Sequence, residues 1–92
     1  MKRKVWTFNE YKERIDTVEC LVKDPYRAQR MARRRYEYYR SLIEASDLDE
    51  KTIRHRIIEA LNYYSALENR LVDRMISQTR QLLDRLDRQY PK

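Results

Sequence analysis

Arg27, Arg30, Arg33 and Arg34 are the side chains of this chain best suited to recognition chemistry. A guanidinium is planar, always charged and forked, so it fits a phosphate or carboxylate edge. Tyr26 and Tyr38 flank the four, and aromatic rings beside arginines can stack on bases or pack on sugars. Lys2, Arg3 and Lys4 form a basic arm that could add contacts to the same ligand. The pattern points to nucleic-acid binding through the backbone. The alternative is a helical adaptor or inhibitor that docks the same face on an acidic protein, since arginine is also a frequent interface anchor. A third, inert reading is a solvated face that keeps a small protein soluble.

Other candidate groups carry less. Glu10, Glu13, Asp16 and Glu19 recur every third residue, but such a row drifts around a helix by about 60° per step and does not converge on one ion. Glu10 with Arg14 and Glu19 with Lys23 have the spacing of helical ion pairs. His55 and Cys20 are each the only residue of their type, too few for a zinc site within one chain. Helical phase sets Cys20 opposite the apolar seam of its helix and His55 near Glu59, away from any shared cleft. No glycine-rich phosphate loop exists, because the chain has no glycine. The expectation is therefore a non-enzymatic protein with no cofactor and no metal. Arg35 and Glu68 differ from the other charges in falling among apolar positions of their helices. A buried charge needs a partner, so both are expected as buried polar groups with a register-setting role.

The elements that must hold these groups are helical. With 92 residues, Gly 0 and Pro 2, the chain has almost no turn chemistry for hairpins, while 41% hydrophobic residues recur at helical spacing. Residues 1–92 are expected to form a single helical domain. Residues 1–6 form the arm. A first helix spans 7–23, opened by a Thr7–Glu10 capping box with Trp6 and Tyr11 at the spacing of a hydrophobic staple. Its seam is Phe8, Tyr11, Ile15, Val18 and Val22. Asp24 and Pro25 form a tight connection in which Asp24 caps the second helix, 25–45. The inner face of that helix is Ala28, Met31, Ala32, Tyr36, Tyr39, Leu42 and Ile43. Net charge is +6 in all, and most of the excess falls in this segment, where six Arg face Glu37 and Glu44.

The third helix spans 49–90, with Asp49 preferred over Asp47 as its cap. It is ~60 Å long against ~31 Å for the second helix. A second helix folded back along it covers it only to about Asn69. Leu71, Val72, Met75, Ile76, Leu82, Leu83, Leu86 and Tyr90 then lie beyond cover. Each large apolar side chain left in water forgoes about 1.5–3 kcal/mol, so either the helix breaks near Asn69 and doubles back, or a second copy shelters its end. Glu68-Asn69-Arg70 offers one weak turn residue. The expected architecture is therefore all-α: two shorter helices and one long C-terminal helix, forming a helical-bundle or coiled-coil homodimer. No apolar run reaches membrane-spanning length and no signal-peptide core is present, which gives a cytoplasmic expectation with no membrane partner. The function expected is that of a small nucleic-acid-binding regulator or accessory factor.

Overall fold

The computed structural model describes residues 4–90. Within them the chain forms three helices and no strand: α1 (Phe8–Leu21), α2 (Pro25–Glu44) and α3 (Glu50–Gln89). Each start has a local cause. Thr7 accepts from the Glu10 amide at 3.1 Å while the Glu10 carboxylate reaches back to the Thr7 amide, a complete capping box. Asp24 is extended and accepts from the Tyr26 amide at 3.0 Å, with Pro25 in the first turn, where its missing N–H costs nothing. Asp49 caps α3 through the Thr52 amide. α1 ends where Val22 turns extended ahead of the Asp24–Pro25 cap.

The helices run up, down and up. α1 and α3 are parallel: Tyr11 meets Ala60, Asp16 meets Tyr63, Glu19 meets Arg70, and Arg74 donates to the Lys23 carbonyl. α2 runs against both, with Tyr36 stacked on Tyr64 and Gln29 donating to Glu68. The core consists of Tyr11, Ile15 and Val18 of α1, the inner face of α2, and Ala60, Tyr64, Leu67 and Leu71 of α3. Ala28, Ala32 and Ala60 are fully buried and let the backbones approach, and the space at the α1 end is filled by tyrosines. Tyr11 and Tyr39 stack with ring centroids 4.4 Å apart.

α3 stays straight past Asn69, with no break and no fourth helix. The molecule is accordingly elongated, 64 × 23 × 17 Å. Its cover extends further than the length of α2 alone predicts. Leu71 is 0% exposed and Met75 is partly buried, so these two belong to the bundle rather than to the uncovered end. Gln29 of α2 meets Glu68, which brings the start of α2 level with about residue 72, and the C-terminal end of α1 with Lys23 lies beside Arg70 and Arg74. Beyond Met75 the last helical stretch, ~21 Å long, stands free, with Ile76, Leu82, Leu83 and Leu86 exposed. No helix of the described residues is long and apolar enough to cross a membrane.

Candidate nucleic-acid interface

The Asp24–Pro25 connection starts α2 in register, and burial of its Ala/Tyr/Leu face then fixes which side looks outward. Arg27, Arg30, Arg33 and Arg34 all come out exposed. They are not equivalent. Arg33 donates to Glu37 at 3.1 Å, one turn on, and is partly neutralised by it. Arg27, Arg30 and Arg34 have no ion pair or hydrogen bond to another described residue. These three border a shallow depression of about 360 Å³ whose remaining wall is Met31. Three unneutralised guanidiniums within ~11 Å of helix axis repel one another, and an anion seated between them would relieve that repulsion.

The tyrosines divide similarly. Tyr26 stands at the start of the stripe, 47% exposed. Tyr38 sits with its ring 5.0 Å from Trp6 and is part of the packing at that end. Trp6 also faces Tyr39 at 6.4 Å and carries the Arg14 guanidinium over its ring at 4.5 Å. Its ring contacts are thus with α2 and Arg14, and it packs against the core cluster that includes Tyr11. Lys4 lies 4.0 Å from Glu10. Lys2 and Arg3 lie outside the described residues.

Arg35 and Glu68 depart from expectation. Neither is buried, and no charged or polar residue among those described is. Arg35 is partly covered, as expected of a long side chain that lays its stem on apolar surface and keeps its head toward water. Glu68 accepts from the Tyr64 hydroxyl at 2.8 Å and from Gln29 at 3.3 Å, so its partners are neutral donors at the α2–α3 seam. A three-helix bundle leaves part of each helix circumference uncovered, and both residues lie at that margin.

The α1 carboxylates serve the bundle. Glu19 takes a bidentate contact from Arg70, at 2.7 and 3.0 Å, which holds its carboxyl below the usual range. Asp16 accepts from Tyr63 at 2.5 Å. Burial, and then that hydrogen bond, pushes the Tyr63 hydroxyl up to about 12. The local pair expected for Glu19 with Lys23 gives way to the contact with Arg70 between helices, while Glu10, expected with Arg14, meets Thr7 and Lys4 at the start of α1. His55 pairs with Glu59 at 2.6 Å on the exposed side of α3. Cys20 is exposed near the end of α1, and since Glu19 meets Arg70, it lies ~24 Å along the bundle from His55. No group of three or more His, Cys, Asp or Glu among the described residues could hold a metal ion.

Sequence reasoning missed the contacts between helices, Tyr63–Asp16 and Arg70–Glu19, because no spacing within one helix announces them. It also missed the exposure of Ile58 and Leu61. Compared with known protein families, curated proteins and solved structures, the chain matches none.

Proposed function

We propose that this chain is a small non-enzymatic regulator or accessory factor that binds nucleic acid along the exposed arginine stripe of α2, acting as a pair of identical copies in the cytoplasm. One observation carries the reading: Arg27, Arg30 and Arg34 share a depression on one helix face and lack counter-charges among the described residues. Backbone phosphates supply that charge at a spacing such a stripe can follow. With Tyr38 packed on Trp6, Tyr26 is the remaining ring free to stack, so contact is with the backbone more than with bases.

The test is a titration of labelled DNA and RNA at several salt concentrations. With three phosphates neutralised per copy, log affinity should fall against log salt with a slope of about −2 to −3 per copy. Changing Arg27, Arg30 and Arg34 together to Glu should abolish binding while helix content and mass stay as they were. Failure to bind either nucleic acid at low salt would end this reading and leave an acidic protein as the partner of the same face.

A further inference from the structure

The uncovered apolar row of α3 does not begin where the bundle ends. It starts at Ile58 and Leu61, 57% and 43% exposed, and runs on through Val72, Ile76, Leu83 and Leu86. At 100° per residue these positions fall within about 80° of one another, and their mean direction lies about 115° round from the buried row of Ala60, Tyr64, Leu67 and Leu71. α3 therefore has two apolar faces, and its own bundle uses one. The second face lies next to α2, because α2 touches α3 at Tyr64 and Glu68 while α1 touches it at Tyr63, Arg70 and Arg74.

We infer that a second copy of this chain covers that face, with the two α3 helices antiparallel and the free end of each seated in the groove between α2 and α3 of the other. This rests on the two-copy reading above and adds the arrangement. The spacing of the row is self-complementary when reversed. A twofold axis near residue 74 sets Val72 against Ile76, Ser65 against Leu83, Ile58 against Tyr90, and Leu61 against Leu86 one residue out of step. The free end is also too wide for a tail-to-tail pair. Leu82, Leu83 and Leu86 span about 100° of the helix, more than a two-stranded seam needs. A groove between two helices accepts that width, with Leu82 turned toward α2.

In the antiparallel pair Glu68 stands on the same side of the contact as Thr79 of the other chain, whose hydroxyl can donate to it. Area points the same way against a contact of the free ends alone. A parallel contact limited to the free ends, ~27 Å long and ~11 Å wide, covers only about 300 Å² per copy. The antiparallel contact runs ~48 Å and covers about 530 Å², with the flank of α2 adding to it, against the ~800 Å² per partner typical of specific interfaces.

The deciding measurement uses the whole chain with Cys20→Ser and Arg88→Cys, a spin label on the new thiol, and mass by sedimentation equilibrium. Arg88 lies off the row, so the label leaves the contact intact. The antiparallel arrangement predicts a mass of two copies and a label separation of at least ~42 Å, since residue 88 of one copy stands level with residue 60 of the other. Two copies with labels under about 20 Å apart would overturn the arrangement and leave the two-copy reading standing. Any mass other than two copies would remove that reading and this inference with it.

Discussion

Tyr11 and Tyr39 stack in the same layer of the core, yet their hydroxyls differ. Tyr11 donates to the Ala60 carbonyl at 2.7 Å, while the buried Tyr39 hydroxyl has no hydrogen-bond partner among the described residues. Removing a made bond costs about 0.5–1.5 kcal/mol, whereas removing an unsatisfied buried group relieves a desolvation penalty of about 1–3 kcal/mol. Tyr11→Phe should therefore destabilise the protein by about 1 kcal/mol and Tyr39→Phe should leave it equal or more stable, read by chemical denaturation. The same layer sets the alkaline limit. Burial raises the hydroxyls of Tyr11, Tyr39 and Tyr64, and that of Tyr63 to about 12. A folded value raised above the unfolded 10.0 means stability is complete below pH 10 and is lost as pH rises through the folded values. Circular dichroism and tyrosinate absorbance followed together above pH 10 should change in one transition. Free ionisation of these tyrosines ahead of unfolding would contradict their burial.

At the scale of the element, α3 is two objects in one helix. Up to Leu71 and Met75 it is a wall of the bundle; beyond, it is an arm in water. Two leucines of the same type test that division. Leu71→Ala should destabilise the folded protein by about 2–5 kcal/mol, because Leu71 is fully buried. Leu83→Ala should leave the bundle's denaturation midpoint unchanged at low protein concentration and weaken self-association instead. Equal losses of stability in the two variants would mean that the arm is covered by its own chain. The helix starts were legible in advance because Thr7, Asp24 and Asp49 are local signals, each acting within three residues. The point where cover ends was not, because it depends on the axial offset of α1 and α2 against α3.

For the whole molecule, the proposed pair brings like charges together at one place. With the twofold near residue 74, the two Asp73 side chains lie on the same side of the contact at almost the same level. Asp73→Asn should tighten self-association, most clearly at low salt, where repulsion is least screened. Sedimentation at two ionic strengths would read it, and an unchanged or weaker association would move the axis away from residue 74. Arg33 borders this contact, since its charge acts on Tyr64 of α3, while Arg27 and Arg34 lie further round α2, so nucleic-acid binding through those two and pairing should be separable by mutation.

From composition and spacing alone, the all-helical class, the capped starts of the three helices, the outward arginines of α2 and the exposed tail of α3 all followed. Each depends on a period of 3.6 residues or on a cap a few residues long, and both are written locally. Tertiary structure decided which arginines keep a free charge, that Glu68 answers Tyr64 and Gln29, that cover reaches Leu71, and that Ile58 and Leu61 face out. Those outcomes depend on the rotation and axial offset of one helix against another. That geometry arises from packing among all three helices, and no single segment encodes it.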